Sequence, residues 1–304
     1  MTRRSTEKSW RDYDHYVRYV ATGSPTMSKR PTLRPEEPCY IARGKGCRVW
    51  DVDGNEYIDF RNALGPITLG YCFPTVDEAI REQLGKGIIF GHPTRLEGEV
   101  AELLADAIPC AEKVRYLKTG GEALAAAIKV ARASTGRDMI LQCGYNGWIN
   151  SVAAHGRVLP GVEHAAPRGV SAALSALHRA GPWADLAVWE QLFDEHGGKV
   201  AATVVAMDYA DADKGAEFLR GLRALTFRHG SLLITDEIVA GFRVALGGLH
   251  ELASVDVDMA VFSKGMANGM PVSALVGKAA ALDELETAVV SSTAVGWRAK
   301  PVAS

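Results

Sequence analysis

The chain has 304 residues, of which 47% are hydrophobic and 23% charged, and its formal net charge is −2. That length holds one large domain or two smaller ones, and that composition suits a globular protein with a sizeable core. The near-neutral charge, with acids and bases interspersed, excludes a long-range field that would gather nucleic acid or an anionic membrane surface.

Residues 1–37 are polar and carry Pro25, Pro31 and Pro35. They read as a short helix around Trp10–Val20 followed by an irregular arm. The start, Met1-Thr2-Arg3-Arg4-Ser5, runs into charged and aromatic residues and is not read as a secretory signal. Residues 39–60 read as β-rich, with Cys47–Val52 and Glu56–Phe60 flanking the turn signal Asp53-Gly54. Asp51-x-Asp53-Gly54-Asn55 has its glycine two positions too early for a calcium loop and is read as that turn. Gly44-Lys45-Gly46 lacks the third glycine and the helix of a dinucleotide fingerprint.

From residue 75 helices and strands alternate. Thr75–Glu78 and Thr94–Glu97 read as capping boxes that open helices. Val114–Leu117 is a strand, Glu122–Ser134 an Ala-rich helix stopped by Gly136, and Met139–Cys143 a strand. Residues 151–184 are irregular. Leu186–Glu195 is a helix, Ala201–Met207 a strand, Ala216–His229 a helix, and Leu232–Thr235 and Met259–Phe262 are strands. Continuous apolar strands joined by helices imply an α/β fold, with a mostly parallel central sheet covered by helices on both faces. The expected division is an N-terminal arm and β-hairpin segment at 1–65, a large domain at 66–293 and an atypical tail at 294–304.

No apolar run reaches the length of a membrane span. The five cysteines, at 39, 47, 72, 110 and 143, show neither a Cys-x-x-Cys pair nor zinc spacing, and read as reduced thiols of a cytoplasmic protein. The histidines form no His-x-x-x-His pair, so no metal is assigned.

In open α/β sheets, ligands gather at the carboxyl ends of the strands. Four segments there are candidates. Thr119-Gly120-Gly121-Glu122 joins a strand to a helix, where two glycines and the helix N-terminus suit an anion. Cys143-Gly144-Tyr145-Asn146-Gly147-Trp148 sets an aromatic ring between glycines, able to stack on a flat ligand. Asp236-Glu237 ends an apolar strand in acid. Ser263-Lys264-Gly265 follows another apolar strand. Each alone has a plain reading: a turn, a packing ring, a structural ion pair, a surface lysine. Together, a lysine able to form a Schiff base and an acid able to keep a ring nitrogen protonated suit pyridoxal 5'-phosphate (PLP). At ~4 Å and an effective dielectric near 20, a carboxylate favours a pyridinium by roughly 4 kcal/mol before desolvation is subtracted.

Longer segments carry a family resemblance: Trp50–Asp59, Gly65-Pro66, Phe90–Thr94, Thr119–Ala123, Asp236–Gly248 and Ser263-Lys264-Gly265 through Gly269–Val272. The chain resembles class III PLP-dependent aminotransferases of fold type I, most closely glutamate-1-semialdehyde 2,1-aminomutase and its aminotransferase relatives. The resemblance implies a Schiff base and proton shuttle at Lys264, an Asp236 partner for the ring nitrogen, and Tyr145 stacked on the ring with Ile238 on its other face. It also implies a phosphate site at Thr119, Gly120 and Gly121, and a Thr293 that reaches the phosphate of a neighbouring subunit in a homodimer. Departures are Asn146 where the family usually has histidine, Gly121 where it has threonine, Thr119 where it has serine, Asp208-Tyr209 where it has Glu-Pro, and Ala63 where it has serine. After Thr293 the family's C-terminal domain is not recognisable in Ala294–Ser304, so that small domain is expected to be mostly missing.

The expected function is transfer of an amino group between an amino donor and a carbonyl acceptor, both small molecules, with no nucleic-acid or membrane partner. The rivals are a 2,1-aminomutase and, in another class, a truncated, inactive PLP-binding or oligomerisation module.

Overall fold

The computed structural model describes residues 4–149, 168–206 and 211–292. They fall into two compact units, the first ending at Glu82 and the second beginning at Gln83.

The first unit opens with α1 (Glu7–Tyr16), which starts ahead of the expected Trp10 and stops short of Val20. Its leading N–H groups are capped from a distance. The Asp53 carboxylate accepts from Lys8 N at 2.9 Å and from Ser9 N at 2.8 Å, as the orphan donors of a helix start require. Strands β1 (Ile41–Lys45), β2 (Arg48–Asp51) and β3 (Glu56–Ile58) form an antiparallel sheet in chain order. Val49 pairs with Tyr57 and Trp50 with Glu56 around the expected turn. Asp51 is buried in that turn and accepts from Asp53 N at 3.0 Å, Asn55 N at 2.8 Å and Tyr57 OH at 2.9 Å. Burial pushes its carboxyl up, but the donated hydrogen bonds outweigh it and hold the carboxyl below the usual range. Both acids of the turn thus serve the fold of this unit.

Helix α2 (Pro74–Leu84) begins one residue before Thr75, with proline at the first helical position, where its missing N–H is harmless. The expected Thr75 capping box is therefore not the start of this helix.

The second unit is built on a seven-stranded sheet. Its strands are β4 (Lys113–Leu117), β5 (Met139–Cys143), β6 (His178–Ala180), β7 (Val200–Val205), β8 (Leu232–Asp236), β9 (Met259–Phe262) and β10 (Ser273–Gly277), in the order β4-β10-β9-β8-β7-β5-β6. Pairs from β6 across to β9 are parallel. Strand β10 runs antiparallel to both neighbours, so β4 points the same way as β9. The carboxyl ends of every strand but β10 therefore share one edge. The helices are α3 (Arg95–Ala107), α4 (Gly120–Thr135), α5 (Ala172–Ala176), α6 (Leu186–His196), α7 (Ala212–His229), α8 (Leu249–Leu252) and α9 (Ala279–Leu282). Among the described residues no helix is long and apolar enough to cross a membrane.

Successive residues on a strand serve opposite faces. Ile140, Val204, Ile234, Val261 and Leu275 pack on one side with Ala123, Ala127 and Ala131 of α4. Leu141, Val205, Leu233 and Phe262 pack on the other with Trp189 and Phe193 of α6 and Phe218, Leu219 and Leu222 of α7. The alanine stripe lets α4 lie close to the sheet. Gly136, at φ 64°, ends that helix in a left-handed cap.

Two strands are absent from the sequence reading. Strand β6 is three residues long and lies inside the stretch read as irregular, at the sheet edge. Strand β10 is wholly buried and antiparallel in a parallel sheet, a reversal that no local pattern of Ser273–Gly277 signals.

Candidate active site

Strands β8 and β9 set the centre of the site. Asp236, the last residue of β8, lies opposite Val261, and Glu237 N donates to Val261 O at 2.9 Å. Strand β9 ends one residue later, and Lys264 follows. The acid and the lysine thus leave adjacent parallel strands at the same edge. Lys264 adopts φ 38°, in the left-handed region that a side chain with a Cβ rarely occupies, at a cost of order 1–3 kcal/mol. A short turn holds it there: Met266 N donates to Ser263 O at 2.9 Å, and Ser263 Oγ to Val272 O at 3.1 Å.

The electrostatics follow from packing. Asp236 keeps partial exposure, yet the protein gathered around it pushes its carboxyl up to about 7, against the Ile238 N–H, the Asn146 amide and the Lys264 charge. The Ile238 N–H donates to Asp236 Oδ1 at 3.1 Å. Burial pushes the Lys264 ammonium the other way, below its usual value; Asp236 opposes that and Arg243 adds to it. The two groups therefore sit closer in proton affinity than a free acid and a free amine.

The cup at the start of α4 lies against them. A Cβ on Gly120 would collide with Ile238 Cδ1, and one on Gly121 would come within 3.1 Å of Ile149 Cδ1. Glycine at 120 is what lets the end of β8 meet the first turn of α4. Thr119 is the N-cap of α4: its hydroxyl accepts from Glu122 N at 3.2 Å, and Glu122 Oε2 accepts from Thr119 N at 2.9 Å. The reciprocal box that the sequence suggested at Thr75 and Thr94 is realised here. At Thr94 the hydroxyl reaches only the Glu97 carboxylate, at 3.4 Å. Among the described residues, the N–H groups of Gly120 and Gly121 meet no acceptor, as first-turn donors do when they are left for a ligand. Ser273 Oγ donates to Thr119 O at 2.8 Å and ties this cup to β10.

The loop after β5 closes over the edge. A Cβ on Gly144 would collide with Ala206 O beyond β7, and one on Gly147 would lie 3.8 Å from Gly121 Cα. The loop therefore crosses from β5 over the end of β7 to the α4 cup. It carries Tyr145, 66% exposed, and Trp148, also exposed.

An amine, an acid, a helix-start cup and an exposed ring thus lie at one sheet edge. The sequence model of the family described as aminotransferase class-III matches residues 32–304. The chain belongs to the class-III aminotransferase family. It is 37% identical over 250 residues to a glutamate-1-semialdehyde 2,1-aminomutase of Natranaerobius thermophilus, covering 80% of this chain and 58% of that protein. It is 35% identical over 271 residues to a 2'-deamino-2'-hydroxyneamine transaminase of Streptomyces kanamyceticus, covering 88% of this chain and 65% of that one. A transaminase solved with PLP bound superposes with a TM-score of 0.83 at 29% identity, over 98% of this chain and 69% of that one. The chain thus spans about three-fifths of the length of the curated relatives it matches.

Within this class-III aminotransferase chain, the structure brings together Thr119, Gly120, Gly121, Tyr145, Asp236, Ile238 and Lys264 at one edge of the sheet. Thr293 lies outside the described residues. Two buried side chains there were not singled out as functional by the sequence. Asn146 is 3% exposed, and neither atom of its amide has a hydrogen-bond partner; it acts on Asp236 from outside hydrogen-bond geometry. Glu237 turns away from its neighbour and into the core. Its carboxylate accepts from Leu249 N at 2.9 Å, His250 N at 3.1 Å and His250 Nδ1 at 3.0 Å, and a Cβ on Gly248 would collide with it. The acidic pair at the end of β8 therefore splits: Asp236 faces the site and Glu237 anchors the segment behind it. The departure from the family's usual histidine marked position 146, but nothing local marked His250.

Proposed function

We propose that this chain is a PLP-dependent aminotransferase that moves an amino group between a small-molecule amino donor and a carbonyl acceptor. The observation that carries the reading is the exit of Asp236 and Lys264 from adjacent parallel strands, each with a perturbed proton affinity and each acting on the other. The residues present fit PLP on their own chemistry. Gly120 and Gly121 offer unpaired N–H groups beside a helix N-terminus for a phosphate, Asp236 offers an anion for a ring nitrogen, and Lys264 offers an amine.

Bound PLP supplies an aldehyde that condenses with amines and a protonated ring that takes up an electron pair from an α-carbon. Burial of Lys264 enlarges its neutral, nucleophilic fraction. The same Nζ, once released, is the base and acid that moves a proton at the substrate's α-carbon. Asp236 holds the proton on the ring nitrogen. Tyr145 and Ile238 would flank the ring, and Thr119 would support the phosphate through the capping box that shapes the cup. Thr293 would serve a partner's phosphate in a homodimer. The five cysteines are free, two of them buried, which supports a cytoplasmic setting.

Borohydride reduction of the PLP-loaded chain followed by peptide mass mapping tests the reading. The adduct is expected on Lys264 and absent from Lys264→Ala. A loaded wild-type chain with no adduct at Lys264 refutes it. The first relative's name supports a second outcome, a 2,1-aminomutase. Product analysis with glutamate-1-semialdehyde, set against an amino donor with a keto acid, separates the two.

A further inference from the structure

Among the described residues, Asn146 is the buried side-chain amide at this edge with neither polar atom hydrogen-bonded. Buried amides are almost always hydrogen-bonded, because desolvating both a donor and an acceptor without replacement is unfavourable. Here both amide atoms are buried and unpaired, at 3% residue exposure. The loop that carries the residue is not loosely placed. Gly144 is packed on Ala206 O, and Gly147 approaches Gly121, so the backbone on both sides of Asn146 is held between β7 and the α4 cup. The Asp236 carboxyl is close enough to feel the amide. The other charged groups acting on Asp236 are Lys264 and Glu237, with Arg243 acting in turn on Lys264. Glu237 has its own three donors and does not compete for this one.

We infer that Asn146 is a positioning residue whose Nδ2 donor is kept for the Asp236 carboxylate, fixing it in the ionised form against a cationic ring nitrogen. The inference rests on the PLP reading above. An amide has no proton to gain or lose near neutrality, unlike the histidine usual in the family at this position. In this chain the donor is therefore present in the same form across the working pH range, while Asp236, Lys264 and the ring titrate around it.

The test uses chain loaded with PLP that carries ¹⁵N in its ring, whose nitrogen shift reports ring protonation as pH is varied. Asn146→Leu keeps the volume and removes the donor. It is expected to lower the ring-nitrogen protonation midpoint by at least ~1 pH unit, about tenfold in the protonation constant. Asn146→His restores a donor and is expected to bring the midpoint back toward wild type. The cofactor-free Asn146→Leu chain is expected to melt no lower than wild type, since it loses only unpaired polar atoms; a purely structural amide predicts the opposite. A Leu variant that loads and titrates like wild type overturns the inference while leaving the PLP reading intact. If the Leu variant does not fold, the amide is structural and the inference fails. Wild-type chain that forms no borohydride adduct at Lys264 overturns both.

Discussion

Replacing Asp236 with asparagine separates what the acid does for function from what it does to stability. Burial lifts the Asp236 carboxyl from the ordinary 3.8 to about 7. The folded chain therefore keeps a proton that the unfolded chain releases as pH rises through about 4. Below about pH 4 both states are protonated and the residue is neutral toward folding. Between about pH 4 and 7 the unfolded state gains by ionising while the folded state does not, so stability falls. Above about pH 7 the full penalty is in place, roughly 4 kcal/mol at 1.36 kcal/mol per pH unit. Asp236→Asn removes it. Urea melts of the cofactor-free chain should show equal stability for variant and wild type at pH 4. They should show an advantage for the variant that grows toward a ceiling of ~4 kcal/mol at pH 8. The ceiling is not fully reached, because Lys264 loses the charge that supports its proton. PLP binding should move the other way. A ring cation ~4 Å from the carboxylate at an effective dielectric near 20 gains a similar ~4 kcal/mol, so the variant should bind PLP up to about a thousandfold more weakly. Stability curves that run parallel at every pH would refute the argument, because a carboxyl with unperturbed proton affinity gives that result.

Two packing predictions follow from the same edge. Gly120→Ala should displace Ile238 and destabilise the chain by about 1–3 kcal/mol, the usual range for overpacking, and combining it with Ile238→Ala, which removes the colliding atoms, should recover part of that loss; a double-mutant cycle by urea denaturation measures the coupling. Glu237→Ala should cost about 3–5 kcal/mol, since it strips the His250 ring and two backbone donors of a buried acceptor, and equilibrium denaturation showing less than about 1 kcal/mol would contradict the anchoring role.

The sequence was informative where one residue type has one physical use. An aspartate closing an apolar strand and a lysine just past the next announce themselves, because buried strands do not end in charge without reason. Asp53-Gly54 announces a turn in the same way. What could not be read depends on partners far along the chain. Asp53 caps α1 across 44 and 45 residues, while Thr6, the local N-cap, makes no capping bond. The Thr119 box was hidden by its glycines, which suggested an anion site before a helix cap, although the two uses coexist. Strand β10 was missed because its residues satisfy any buried strand, and its direction is set by β4 and β9 on either side.

The fates of Asp236 and Glu237 show how two adjacent acids part between a site and the core. The two acids are adjacent, but Glu237 has three donors in the core, whereas Asp236 has one backbone donor and a carboxyl pushed up to about 7. Lys264 holds a left-handed backbone, and Asn146 buries an amide with nothing to bond. A fold under selection for stability alone would relieve each of these by a single substitution: asparagine at 236, glycine at 264, leucine at 146. That three such relievable costs gather where Asp236 and Lys264 leave adjacent strands is expected of side chains kept for a ligand rather than for stability. In the PLP reading proposed above, Gly120 and Gly121 would hold the phosphate, Asp236 supported by Asn146 would face the ring cation, and Lys264 would offer its amine, so each of these costs would be matched by a role at the site.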